Sequence, residues 1–224
     1  MLKENLDKIL SEIAFGNNLG EKIHLVGATK MNDVDTINSA INYGLEIVAE
    51  NKVQEFNAKH GQIIGASEHF IGHLQTNKVK FLVGKVDLIQ SVDSYHLAQE
   101  IDKFAKKIGV IQEILIEVNI GGELSKSGYD IDNLENNVYN IVNTLENVKI
   151  VGLMAMLPHT DNVEMLATLC NKMRNAYDLL KNKGLPFKYL SVGMSNDYKI
   201  AIKNGSNMIR LGRTIFGERN YGEK

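Results

Sequence analysis

IHLVGATKMNDVDTINSAINYGLEIVAEN, residues 23–51, reads as a strand, a helix and a second strand. IHLVGATK (23–30) and LEIVAEN (45–51) are short β-branched runs. The segment from Met31 to Tyr43 has helical apolar spacing and stops at Gly44, a residue suited to a left-handed C-terminal cap. Strands joined through a helix pair in parallel, because parallel neighbours need a long crossover. The same unit recurs along the chain. Strand-like runs follow at HFIGHL (69–74), VDLIQSV (86–92), EILIEVNI (113–120), KIVGLMAML (149–157), KYLSVGMS (188–195) and NMIRLGR (207–213). Helical segments run from Tyr95 to Ile108 before Gly109, from Val163 to Lys183 before Gly184, and from about Asn196 to Asn204 before Gly205.

Eight strands separated by helices predict an α/β fold of the TIM-type, a (β/α)8 barrel. A doubly wound sheet fits the same alternation, but eight near-regular repeats favour closure. Residues 2–15 predict an additional N-terminal helix packed across one end. Only two prolines occur, with no Ser/Gly-rich linker, so residues 1–224 are expected to form one domain.

Lys+Arg 25 against Asp+Glu 27 gives a net charge of −2, which offers no bulk attraction for nucleic acid or an anionic membrane. Any anion must be captured locally. The start, MLKENLDKILSEI, lacks the basic flank and unbroken apolar stretch of a secretory signal, and no apolar run approaches the ~20 residues that span a bilayer. A cytoplasmic location is expected. The single cysteine, Cys170, cannot form an internal disulfide and reads as a buried structural thiol within VEMLATLCNKMRNAYDLL. The histidines show no metal-ligand spacing.

In a (β/α)8 barrel the active site forms at the C-terminal strand ends, with phosphate commonly held by the loops after strands 7 and 8. Lys30 closes the first strand on the same alternating face as Val26 and Ala28. An ammonium there is partly desolvated, which makes the neutral, imine-forming amine accessible. Position alone does not separate this from a lysine that snorkels to solvent. At strand 7, Ser191-Val192-Gly193-Met194-Ser195-Asn196-Asp197 runs through a glycine into a helix, with Ser195 and Asn196 placed to cap it and expose N–H groups. At strand 8, Arg210-Leu211-Gly212-Arg213-Thr214 adds a second glycine, a cation and a hydroxyl. Each has a bland alternative, a capped helix or a turn with solvated arginines. Together, opposite a strand-end lysine, they read as a phosphate cup.

LVGATK (25–30), AENKVQEF (49–56), HFIGHLQTNK (69–78), LIQSVDS (88–94), VNIGGELSKSG (118–128), GLMAM (152–156), SVGMSNDY (191–198) and IRLGRTIFGER (209–219) occur in this order. Over nearly the whole chain the sequence resembles the YggS/PROSC-type pyridoxal phosphate homeostasis proteins, whose barrel is related to the N-terminal domain of alanine racemase. The resemblance implies pyridoxal 5′-phosphate (PLP) carried on Lys30 as a Schiff base. It implies Asn51 beside the ring near its 3-oxygen, Met194 walling the ring, and Ser195, Gly212, Arg213 and Thr214 on the phosphate. Arg210 would face the pyridine nitrogen. An arginine only donates, so that nitrogen would stay unprotonated and the ring would be a weak electron sink. Two departures stand out. Some members have threonine where this chain has Arg213, leaving open whether Arg213 or Thr214 makes the side-chain contact. Some have proline where His73 stands, and a lone strand-end histidine is more often structural.

The implied function is intracellular PLP (vitamin B6) homeostasis without catalytic turnover, by a monomer, with PLP-dependent enzymes as possible recipients. The alternative is a PLP-dependent amino-acid racemase, which needs an acid/base group on each face of the substrate carbon. The alanine racemase domain that supplies the second, a tyrosine, is not expected in a chain that stops at Lys224, and Tyr95, Tyr129 or Tyr198 would have to replace it. A third reading is a phosphosugar-binding barrel enzyme without PLP. The Ser125–Gly128 segment receives no role beyond a loop after strand 5.

Overall fold

The computed structural model describes residues 1–123 and 127–217. Its strands are β1 (His24–Ala28), β2 (Ile47–Glu50), β3 (Ser67–Phe70), β4 (Leu88–Val92), β5 (Gln112–Val118), β6 (Val148–Ala155), β7 (Tyr189–Val192) and β8 (Met208–Leu211). Each pairs in parallel with the next, and β8 pairs with β1 through Ile209↔Leu25 and Arg210↔Val26, so the sheet closes into a barrel. Closure excludes the doubly wound alternative.

The helices are α1 (Leu2–Ile13), α2 (Val34–Asn42), α3 (Val53–Lys59), α4 (Tyr95–Ile108), α5 (Leu134–Thr144), α6 (Val163–Asn182), α7 (Tyr198–Lys203) and α8 (Arg213–Phe216). A 3-10 segment, Thr76–Phe81, makes the crossover from β3 to β4. α4 shows how local sequence sets these elements. The Ser94 hydroxyl accepts the Leu97 N–H, Leu97, Ala98, Ile101 and Ala105 are buried along one stripe, and Gly109 ends the helix at φ 72°. α6 buries Leu166, Cys170, Met173, Tyr177 and Leu180. Burial pushes the Cys170 thiol up to about 12, which suits a structural cysteine.

α1 lies on the outer face of the β8–β1 seam instead of across a barrel end. Its Leu6, Ile9 and Ile13 join a cluster with the outward-facing Leu25, Ile209 and Leu211. The physical reason is α8, whose four residues are too few to cover that seam. Strand limits also differ from the sequence expectation. β1 stops at Ala28, and Lys30 follows in a turn closed by the Asn32 N–H on the Thr29 carbonyl at 3.0 Å. β3 starts at Ser67, where polar residues disguise the strand. β8 stops at Leu211, because Arg213 begins α8.

The barrel interior is filled by Val26, Ile47, Ala49, Leu88, Leu115, Val151, Met154 and Met208. No helix among the described residues is long and apolar enough to cross a membrane. Leu124–Lys126 and residues 218–224 lie outside the described residues, so half of the Ser125–Gly128 loop and the end of the last family motif do too.

Candidate cofactor site at the barrel mouth

A cavity of about 580 Å³ opens at the C-terminal strand ends. Lys30, Asn51, Met194, Ser195, Arg210, Gly212 and Arg213 all line it, so seven of the eight expected site residues converge from β1, β2, β7 and β8. Thr214 is not among the lining residues; it sits half-buried in α8, turned by the helix that begins at Arg213. The loop after β6, from Met156 to Asp161, forms the opposite wall. His73 lies at the rim, exposed, with Nδ1 3.2 Å from Asp93 Oδ2.

The expected helix cap needs correction. Neither Ser195 nor Asn196 caps α7; the cap position is Asp197, whose Oδ1 turns back to accept the Met194 N–H at 2.5 Å. This leaves the N–H groups of Ser195, Asn196, Gly212 and Arg213 without a protein acceptor among the described residues. The Arg213 guanidinium donates to Asn196 Oδ1 at 3.1 Å and ties the two loops together. Gly193, at φ 108°, is required here: a Cβ would lie 2.9 Å from Tyr198 Cα and from Ala201 Cβ.

Two observations fit a ring-and-phosphate ligand. Asn51 Oδ1 is buried without a hydrogen-bond partner, an unusual state for an amide oxygen and one that a polar ligand group would resolve. A Cβ on Gly212 would meet Ala28 only at ordinary contact distance, 3.5 Å from its carbonyl oxygen, so packing within the chain does not demand glycine. Close approach of a ligand to the backbone would. Gly72 fixes Asn51 from behind, since a Cβ there would lie 2.0 Å from the Asn51 carbonyl oxygen.

Arg210 is buried and organised by a polar chain across the barrel interior. One guanidinium nitrogen donates to the Ser191 carbonyl and hydroxyl oxygens, both at 2.7 Å, and the other to the Ala155 carbonyl at 2.9 Å. The Ser191 hydroxyl donates to Gln90 Oε1 at 2.7 Å, and Gln90 Nε2 lies 3.0 Å from His69 Nδ1. Burial lowers the Arg210 guanidinium to about 10, with Glu117 and Asp197 opposing the shift, so the group stays protonated at neutral pH. Burial likewise holds His69 down to about 4, neutral, with Nδ1 accepting from Gln90. Glu117 is raised to about 7 by burial and by repulsion from Asp93, against the pull of Arg210. Sequence reading missed this chain; the available signal was polar Gln90 and Ser191 inside the apolar runs LIQSV and YLSV.

Residues 21–220 match the family model for the alanine racemase N-terminal domain. The chain is 41% identical over 223 residues to a pyridoxal phosphate homeostasis protein of Aquifex aeolicus, covering 97% of this chain and 95% of the relative. Among solved structures it is similar to PipY of Synechococcus elongatus with PLP bound, at a TM-score of 0.84 and 28% identity, covering 97% and 100% of the two chains. An alanine racemase of Clostridium difficile shares the fold alone, at a TM-score of 0.77 and 17% identity, with 97% of this chain covering 55% of the racemase. On the family model and the match to the Aquifex protein over nearly its whole length, the chain belongs to the pyridoxal phosphate homeostasis protein family.

Proposed function

We propose that this protein binds PLP, carries it on Lys30 through a Schiff base, and serves intracellular PLP homeostasis without catalytic turnover. The observation that carries this reading is the convergence of Lys30, Asn51, Arg210 and the Ser195/Gly212 loops on one cavity. When bound, PLP would supply an aldehyde for the Lys30 amine and a ring that withdraws electrons. The protein's own contributions are distinct. The backbone N–H groups of Ser195, Gly212 and Arg213 would receive the phosphate, with Arg213 near enough to add charge. Asn51 would hold the ring's 3-oxygen and Met194 its face. Thr214 would act on the phosphate only from behind these groups.

Arg210 would donate to the pyridine nitrogen, and with its guanidinium near 10 it would be too weak an acid to hand its proton over. That weakens the electron sink and supports storage over turnover. Two of the three tyrosines a racemase would need are committed elsewhere, and the third, Tyr129, whose hydroxyl is buried without a hydrogen-bond partner among the described residues, stands off the cavity wall. Tyr198 donates to Glu12 at 2.7 Å, Tyr95 pairs with Thr144 at 3.0 Å, and neither of them nor Tyr129 lines the cavity. A cytoplasmic monomer, with residues 1–224 acting as one unit and PLP-dependent enzymes as recipients, completes the reading.

The test is a spectrum and an incubation. Purified protein with PLP is expected to show an imine absorbance band that is lost in Lys30→Ala, and no sustained interconversion of L- and D-alanine. A colourless protein would favour the phosphosugar reading, and Lys30-dependent racemization would sink the non-enzyme one.

A further inference from the structure

Lys30 is flanked by Thr29 and Met31, and three side chains from β2 and α3 hold both neighbours. The Thr29 hydroxyl donates to Glu50 Oε1 at 2.6 Å, and the Lys59 ammonium donates to the Thr29 carbonyl at 3.1 Å. Lys59 also reaches Glu50 Oε1 at 2.6 Å and Glu55 Oε2 at 3.4 Å. The Met31 N–H donates to Glu55 Oε2 at 2.7 Å. All three ammonium donors of Lys59 are thus used.

The backbone they hold is strained. Met31 has φ 64°, the sole positive value at a non-glycine among the described residues, and its side chain is 61% exposed. A left-handed non-glycine costs on the order of 1–3 kcal/mol and persists where its surroundings impose it. Packing of an exposed side chain does not impose it; the turn closed by the Asn32 N–H on the Thr29 carbonyl at 3.0 Å sets it, and the Glu55 hydrogen bond holds the Met31 N–H within that turn. The Lys59 and Glu50 side chains are only 13% and 6% exposed. Pairs this buried return little net stability over an apolar filling, because desolvation offsets their attraction. Their value lies in geometry.

We propose that Glu50, Glu55 and Lys59 are positioning residues for Lys30, clamping the backbone on both sides of it so that its amine enters the cavity toward the cofactor aldehyde. The proposal rests on the assignment of PLP to Lys30. A clamp of this kind changes how readily the amine and aldehyde meet, while the phosphate loops and the ring contacts stay intact.

The test separates covalent from non-covalent binding. Full-length wild type, Glu55→Ala, Glu55→Gln and Lys59→Met are titrated with PLP, reading the imine band. Total bound PLP is measured by equilibrium dialysis for the same changes in a Lys30→Ala background. Glu55→Ala and Lys59→Met are expected to weaken imine formation about tenfold. Non-covalent binding should stay within twofold, and Glu55→Gln, which keeps an acceptor oxygen for the Met31 N–H, should remain close to wild type. Should Lys59→Met fail to fold, Glu55→Ala decides. Imine formation in folded Glu55→Ala equal to wild type, an equal loss in the Lys30→Ala background, or Glu55→Gln as impaired as Glu55→Ala would each overturn the proposal. A wild type that forms no imine overturns the assignment of PLP to Lys30, and this proposal with it.

Discussion

Arg210 and Ser191 are joined twice: one guanidinium nitrogen donates to both the carbonyl and the hydroxyl oxygen of Ser191 at 2.7 Å. The hydroxyl in turn donates to Gln90, so a single oxygen links the charged group at the mouth to the interior of the barrel. Ser191→Ala removes that oxygen and leaves Gln90 Oε1 without its donor. The expected loss is about 1–3 kcal/mol of stability in urea unfolding, with weaker PLP binding alongside. Unchanged stability would mean that water or a rearranged Gln90 replaces the link.

His69, at the far end of the chain, governs acid sensitivity. Its folded-state value near 4 lies below the ordinary 6.5, so the unfolded chain binds the extra proton between these limits. Stability from this group is present above pH 6.5 and is lost as pH falls toward 4, by on the order of 3 kcal/mol. Histidine NMR titration should find His69 neutral at pH 5.5. A midpoint at or above 6 would contradict the burial argument.

Glu117 works in the opposite sense. Its carboxyl is raised to about 7 from 4.5, so the folded state holds its proton more tightly, and stability from Glu117 falls as pH rises from 4.5 through 7. Glu117→Gln keeps the neutral shape without the titration. The melting-temperature difference, variant minus wild type, should therefore grow between pH 5 and pH 8, and a flat difference would contradict the assignment.

Gly72→Ala tests whether Asn51 is held from behind. The added Cβ would lie 2.0 Å from the Asn51 carbonyl oxygen, so the backbone must move. PLP affinity is expected to fall at least tenfold, by the ~1 Å sensitivity of positioned groups. Retained affinity in dialysis would show that the Asn51 backbone has room to yield.

The strand-helix alternation was legible because periodicity and glycine caps are local signals, as at Tyr95–Ile108 before Gly109. Strand ends put Lys30, Asn51 and Arg210 at the barrel mouth, where they line the cavity, but their roles came from the family resemblance, since position alone left Lys30 undecided. The partners of Arg210 were not legible. Ser191 and Gln90 meet across the barrel at a separation of 101 residues, a contact that no local pattern announces. Thr214 was placed on the phosphate by the family resemblance and as the hydroxyl after Gly212 and Arg213, while the chain turns into α8 at Arg213 and Thr214 is not among the residues that line the cavity. Asp197 went unread because its carboxylate serves the Met194 N–H of the preceding turn instead of the helix that follows.

The central claim is that Lys30 carries the cofactor. Protein incubated with PLP, reduced with borohydride, digested and analysed by mass spectrometry should yield a single modified peptide, with the adduct on Lys30 at close to one per chain. Adducts scattered over surface lysines, or one concentrated on another lysine such as Lys59, would contradict it.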